Sequence, residues 1–410
     1  MTRRQEFFAR ARRVLCAASC GQLAHWRHWV SATMFTLGST LHAYAQPVAP
    51  TPCAPPPALA DSWVPQSPSS AGFDADALCA MLTSVQSGQA NIHGVLIARN
   101  GKLVAEMYRS GTDHPINHLY GLWGQDTAFD AGTQHDIRSI SKSVVSLLFG
   151  VARGKGLTSP LNTPAIDMFP ELKDLRTPKL ETIQLKHLLS MSSGLDWSEG
   201  SPPDNETRLF WNSQPERYVM ERDLVAAPGQ RFNYNSGGTS LIAQALVRAE
   251  GAPLQELARQ QLFEPMGIKD WEWVSDLHGR ALAFTGLRLR PRDLLKLGQL
   301  VLDKGQWQGR QLVPAQWIEE STQMHISTGF KSPVLPDEEI GYGYQWWTGH
   351  VLWHGQRLAW SAGFGNGGQR LFVLPDLNLT MAIAAGGYNS GSIDPQVLRL
   401  FASAVASVQR

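Results

Sequence analysis

The sequence predicts an α+β protein, an antiparallel β-sheet flanked by helices with a mostly helical region inserted between its two halves. Two strand pairs and the stretch between them carry that reading. Ile92–Arg99 and Lys102–Tyr108 are apolar runs joined at Asn100-Gly101, a dipeptide that accepts the positive φ values of a tight hairpin turn. Gln369–Leu374 and Leu379–Ala385 form a second pair around Pro375-Asp376-Leu377-Asn378. From about Leu157 to Gly279 the strand pattern fades, and helical segments such as His187–Met191, Thr239–Ala249 and Leu254–Leu262 take over. The resulting division is 1–45 leader, 46–70 Pro/Ser-rich lead-in, 71–156 with 280–410 as an α/β domain, and 157–279 as a helical domain.

The leader holds six arginines and one glutamate, Arg3 to Arg27, ahead of an apolar run that closes in Ala43-Tyr44-Ala45. A basic region, a short apolar stretch and a small-x-small close describe a secretory signal peptide, so a periplasmic or secreted protein is expected. The run is interrupted by Ser31, Thr33, Thr36, Ser39 and Thr40, too polar for a stable membrane span after processing. Of the four cysteines, Cys53 and Cys79 lie beyond the leader, and export makes a disulfide between them an option, with free thiols as the alternative. Phe73–Ser87 has Phe73, Leu78, Met81 and Leu82 spaced for one buried helical face. The chain closes on a helix, Pro395–Val408, with Asp394 as N-cap and Pro395 at its first position.

Composition removes some functions. With 43% apolar and 17% charged residues a large core can form. The net charge is only +1. The leader contributes +5 of it, leaving −4 for the rest, so no nucleic-acid binding through bulk positive charge is expected. Gly363-Phe364-Gly365-Asn366-Gly367-Gly368 matches a dinucleotide fingerprint, but a strand follows it where a helix is required. These glycines read instead as a loop where backbone must approach closely. No Gly-x-Ser-x-Gly, His-Glu-x-x-His or Cys-x-x-Cys occurs; His350 and His354, on one strand, would be ~13 Å apart.

What remains is Ser139-Ile140-Ser141-Lys142 at the start of an apolar helical stretch. Of the ten lysines, Lys142 alone has a serine three residues before it, a spacing that puts both side chains on one helix face. Desolvation there is expected to lower the lysine pKa and free it to accept the serine proton. Downstream, Tyr234 sits in the polar, Gly-bounded loop Pro228–Gly238, and Trp360-Ser361-Ala362-Gly363-Phe364 precedes an apolar strand.

In this order the segments resemble the serine β-lactamase and penicillin-binding-protein superfamily, in particular its class C-like branch with esterases and 6-aminohexanoate-oligomer hydrolases. Ser139 and Lys142 meet the family's Ser-x-x-Lys motif, and Tyr234 with Ser236 its Tyr-x-Ser motif. The likeness runs from about Ile92 to the end, through LKHLLSMSSGLDW, AAPGQRFNYNSGG, LRPRDLLKLGQLVLDKGQW and GYGYQWW. Where the family carries Lys-Thr-Gly or His-Thr-Gly, this chain has Ser361-Ala362-Gly363, which lacks the basic residue that helps hold a substrate carboxylate.

The resemblance implies a β-lactamase/transpeptidase-like fold and two-step acyl transfer on Ser139, with Lys142 and Tyr234 managing the proton and the acylation base left open between them. Backbone N–H groups of Ser139 and Phe364 would form the oxyanion hole, Ser236 would orient Lys142 or substrate, and Ser361 and Gly363 would support it. Trp123, Trp211, Trp346 and Trp347 are candidates for an apolar acyl pocket, with core packing as the alternative. No metal or other cofactor is needed, and the expected partner is a small ester, amide or lactam. Two other functions stay open: a β-lactamase or D-amino-acid peptidase acting on cell-wall-like substrates, and a catalytically silent binding protein on the same scaffold.

Overall fold

The computed structural model describes residues 54–200, 204–336 and 339–410; the leader, its cleavage site and Cys53 lie outside the described residues. The main sheet comprises β1 (Val64–Pro65), β2 (Ile92–Arg99), β3 (Lys102–Tyr108), β4 (Ile326–Ser327), β5 (Gly341–Tyr342), β6 (Trp347–Trp353), β7 (Gln356–Gly365), β8 (Gln369–Leu374) and β9 (Leu379–Ala385). Their order is β1-β3-β2-β9-β8-β7-β6-β5-β4. Every neighbouring pair is antiparallel except β1 with β3. Both hairpins anticipated from the sequence are present with the expected limits. Asn100 and Gly101 have φ of 52° and 72°, the left-handed values that the turn demands. The pairing of β2 with β9, Ile97 opposite Met381, joins the early half of the sheet to the late half.

The central strands read as unbroken apolar runs because both faces are covered. Leu96 and Ala98 enter one core cluster, while their neighbours Val95 and Ile97 enter the other. On the second face lie α1 (Ala75–Ser87), with Leu78, Leu82 and Val85 buried, and the carboxy-terminal helix, whose Phe401 stacks on Phe372 at 3.9 Å. Each such side chain contributes roughly 1.5–3 kcal/mol by leaving water. The first face carries α2 (Ile140–Gly154) and α4 (Pro291–Leu302), and α3 (Ser236–Glu250) packs on α2. The carboxy-terminal helix is α5 (Ile393–Ala406).

Helix α4 lies directly on the sheet, since a Cβ on Gly298 would stand 2.1 Å from Thr380 Oγ1. Its Arg292 is buried and forked onto Glu106 of β3, with Nε 2.7 Å from Oε2, and also reaches Asp61 at 3.0 Å. That bond network fastens the lead-in, the hairpin and α4 together.

Several expectations shift. Helix α5 starts at Ile393 with Ser392 at the cap, and Asp394 instead pairs with Arg370 of β8. The segment from Leu254 is α-helical only to Ala258 and continues as a π-turn, Arg259–Phe263. The region 157–279 also holds a strand, Trp271–Trp273, which joins Leu287–Leu289 and His135–Asp136 in a three-stranded sheet. Gly363 and Gly365 belong to the end of β7, and only Gly367 and Gly368 form a turn. Cys79 is disulfide-bonded, while the Cys53 half of the expected pairing lies outside the described residues. Among the described residues no helix is long and apolar enough to cross a membrane.

Candidate active site

Ser139 occupies the cap position of α2, with φ −65° and ψ −5°, and the helix itself starts at Ile140. The residue before it, Arg138, is held at φ 52°, a strained value for a side chain of that size, so the chain turns sharply into the helix. One turn on, Lys142 is 1% exposed and donates from Nζ to Ser139 Oγ at 3.0 Å and to the Phe284 carbonyl at 3.0 Å. The Tyr234 ring centroid lies 4.7 Å from the same ammonium, and its phenol is close enough for Ser139 and Lys142 both to favour its ionised form. A hydroxyl, an amine and a phenol separated by up to 95 positions thus meet at one point.

Local geometry explains the Tyr234 placement. Asn235 caps α3 by accepting from Gly238 N at 3.0 Å, which fixes the loop where it enters the helix. Gly237 packs so closely that a Cβ there would stand 2.7 Å from Trp197 and Val219. Gln345 locks the neighbouring layer: it accepts from Thr239 of α3, and Ser143 of α2 donates to its carbonyl, each at 2.8 Å.

Two carboxylates flank the trio that the sequence reading did not include. Glu199 accepts from the Ser236 backbone N–H and, at 2.8 Å, from Trp197 Nε1. Glu206 accepts from Ser236 Oγ at 3.2 Å. Burial pushes the Glu206 carboxyl up, Glu199 adds to this and Lys142 opposes it, and the pKa reaches about 7. Lys142 departs from expectation for the same reason. Burial presses its pKa down, but Tyr234, Glu199 and Glu206 outweigh that, and it lies above the ordinary 10.5. Tyr234 is also raised, by burial first, with Lys142 opposing and Glu199 adding.

The strand end that carries Phe364 packs against the nucleophile segment. A Cβ on Gly363 would meet Ile140 Cγ2 at 2.8 Å, and one on Gly365 the Ile137 carbonyl at 2.5 Å. Pairing of β7 with β6 stops at Ala362, so Gly363 to Gly365 are paired with β8 but not with β6. Their backbone is therefore open on one edge. Ser361 is buried within β7, opposite Thr348 and Val373, and supplies no charge.

Among the tryptophans the structure separates core from wall. Trp346 is 0% exposed and belongs to the main core cluster, so it does not line a pocket. Its neighbour Trp347 does approach the site, stacked on Tyr234 at 5.9 Å and on Phe364 at 5.3 Å. Trp211, half-exposed, packs on Phe210, whose ring meets Phe284 at 5.7 Å. Trp123 is exposed at the surface next to exposed Leu122. Ser236 hydrogen-bonds Glu206 rather than Lys142. A separate surface hollow lined by Phe149, Leu157, Met168, Leu246 and Arg248 includes none of the trio.

The Beta-lactamase family model matches residues 83–402. A 6-aminohexanoate-dimer hydrolase of Paenarthrobacter ureafaciens is 25% identical over 298 residues, 68% of this chain and 69% of that protein. Among solved structures, a penicillin-binding protein homolog from Caulobacter crescentus superposes with a TM-score of 0.62 at 16% identity, covering 81% of this chain and 97% of that one. EstCE1, described as a hydrolase with promiscuous acyltransferase activity, gives 0.59 at 16% identity over 80% and 99%. At those identities the solved structures speak for the fold alone. The family model spans most of the chain, and the protein belongs to the Beta-lactamase family, a serine-hydrolase family of the β-lactamase fold.

Proposed function

We propose that the protein is an exported serine hydrolase that cleaves ester or amide bonds of small substrates through an acyl-enzyme on Ser139. The observation that carries this is the 3.0 Å contact between Lys142 Nζ and Ser139 Oγ with Tyr234 beside both. Ser139 Oγ attacks the substrate carbonyl carbon and its proton passes to the Lys142–Tyr234 pair. The N–H groups of Ser139 and Phe364 stabilise the oxyanion, a donor of this kind being worth about 10²–10³ in turnover. Collapse of the tetrahedral species expels the alcohol or amine, which takes the proton from Tyr234. Water then attacks the acyl ester, giving its proton to the same pair, and Ser139 is released.

Uncharged esters and amides are favoured over β-lactams because Ser361 stands where a basic residue would pair with a substrate carboxylate. Trp347, stacked on Tyr234, and Phe210, whose ring meets Phe284 beside Lys142, suit an apolar acyl or leaving group. The name of the 6-aminohexanoate-dimer hydrolase relative points the same way. The test is a fluorophosphonate reaction with peptide mapping, alongside p-nitrophenyl esters, linear amides and a chromogenic cephalosporin. Label on Ser139 that is lost in Ser139→Ala, with ester turnover exceeding that of the cephalosporin, is expected. An unlabelled Ser139 would leave the binding-protein alternative standing, and cephalosporin turnover matching the ester would favour the cell-wall alternative.

A further inference from the structure

A second buried constellation lies apart from the trio. His93 of β2, Asp113 of the strand Gly111–Asp113 and His135 are each at most 2% exposed. His93 Nδ1 and His135 Nε2 are 2.8 Å apart, and Asp113 Oδ1 is 3.9 Å from His135 Nε2. One ligand atom from each residue lies within 4.8 Å of the others.

The hydrogen bonds on the far sides of the rings fix both tautomers. Asn91 Nδ2 donates to the Thr112 carbonyl at 2.7 Å, which turns its Oδ1 toward His93 Nε2 at 2.9 Å. An acceptor at that position requires the His93 proton to sit on Nε2. The Asp136 carbonyl, 3.0 Å from His135 Nδ1, likewise requires the proton on Nδ1. Two neutral rings in these tautomers point bare lone pairs at each other across 2.8 Å, which is repulsive unless a positive species lies between them. An extra proton or a metal ion would serve, and the Asp113 carboxylate beside the two rings supplies a third donor for the ion.

We propose that His93, Asp113 and His135 form a binding site for a divalent transition-metal ion, with zinc the expected occupant. Two imidazoles and a carboxylate carry a charge of −1 and make a borderline donor set that suits zinc and not magnesium. The separations of 2.8 and 3.9 Å bracket the roughly 3.3 Å between ligands around tetrahedral zinc with Zn–N near 2.0–2.1 Å. The third pair, His93 with Asp113, lies within 4.8 Å, so Asp113 would have to turn inward to close on an ion. The outer hydrogen bonds are of the kind that orient metal ligands: Asn91 holds His93, the Asp136 carbonyl holds His135, and Tyr388 donates to Asp113 Oδ1 at 2.5 Å. The site lies four residues before Ser139, so an ion here clamps the segment delivering the nucleophile onto β2 and is not part of the acyl chemistry.

The experiment uses the folded protein after chelation and dialysis, titrated with Zn²⁺, Co²⁺ and Mg²⁺, followed by calorimetry, thermal unfolding and visible absorption. One zinc per chain, a raised Tm, a tetrahedral cobalt spectrum and no response to magnesium are expected. Asp113→Asn, nearly isosteric, and His93→Gln should abolish the cobalt spectrum with the far-ultraviolet circular dichroism retained. Asn91→Ala should weaken zinc about 10–100-fold while leaving the ligands in place. Absence of zinc binding in the wild type, with a downfield imidazolium ring proton in its NMR spectrum, would assign the gap to a shared proton and overturn the proposal. So would zinc binding that survives both ligand substitutions.

Discussion

Replacing Glu206 by glutamine should stabilise the protein in mildly alkaline solution and leave it little changed in mild acid. In the fold the Glu206 carboxyl holds its proton to about pH 7, against an ordinary 4.5, because burial and Glu199 penalise its charge more than Lys142 favours it. A folded-state pKa above the unfolded one means that the native protein binds more protons between those values. Stability contributed by the protonated form is then complete below about 4.5 and is lost as pH rises through about 7. At 1.36 kcal/mol per pH unit, ionising this carboxyl in the fold costs roughly 3 kcal/mol more than in the unfolded chain. Glutamine carries no charge to bury and still offers Ser236 Oγ an acceptor. Denaturant unfolding of the parent and Glu206→Gln at about pH 5 and about pH 8 should therefore give curves that nearly coincide at the lower pH. At the higher pH they should separate by up to about 3 kcal/mol, the variant being the more stable. A separation independent of pH, or a variant weaker at the higher pH, would show that Glu206 is ionised and well solvated in the fold, and the reasoning would fail.

Tyr234→Phe keeps the ring stacked on Trp347 but removes the phenol, so turnover of a p-nitrophenyl ester should fall by about 10²–10⁴ with KM changed less; retention of kcat would exclude Tyr234 from proton transfer. In Gly363→Ala the new methyl meets Ile140 Cγ2 at 2.8 Å and Ser143 Oγ at 3.2 Å, which should cost about 1–3 kcal/mol in unfolding measurements. The same displacement moves Phe364 relative to Ser139, so a kcat loss of about tenfold or more is expected from the variant's ester kinetics. Arg292→Ala strips Glu106 of its buried partner and should destabilise by about 3–5 kcal/mol, whereas the double variant with Glu106→Gln should recover part of this in the same assay.

What the sequence revealed follows the range of the forces involved. The hairpins at Asn100-Gly101 and Pro375–Asn378 were legible because turn chemistry is local, and the central strands because burial on both faces writes a continuous apolar run. Ser139 and Lys142 were legible because one helical turn sets their geometry. Glu199 and Glu206 were not: they lie in a polar, Pro- and Gly-bearing stretch with no periodicity, and become neighbours of Lys142 only when that stretch folds beneath Ser236. The same omission contributed to the reversed Lys142 shift, since burial alone lowers an amine's pKa and Tyr234, Glu199 and Glu206 together outweigh it. Trp346 and Trp347 are adjacent in sequence, yet one is core and the other stacks on Tyr234, a division set by packing and not by residue type. His93, Asp113 and His135 come from three separate strands, and no spacing rule connects them.

The protonation pattern bears on the question that the motif leaves open. At rest Lys142 is an ammonium, because Tyr234, Glu199 and Glu206 outweigh burial and hold its pKa above the ordinary 10.5, so it has no lone pair with which to take the serine proton as it stands. Acylation then requires the Lys142–Tyr234 pair to be one proton short, with that vacancy resting on one member. Glu199 raises the proton affinity of both members. Glu206 is among the groups that raise Lys142 and is not among the main influences on Tyr234. The remaining proton is thereby tilted toward the amine. The one-proton-short pair is then an ammonium beside a phenolate, each stabilising the other, and the phenolate of Tyr234 is the acceptor facing Ser139. In this arrangement the buried carboxylates help divide acid from base between two groups whose intrinsic pKa values nearly coincide.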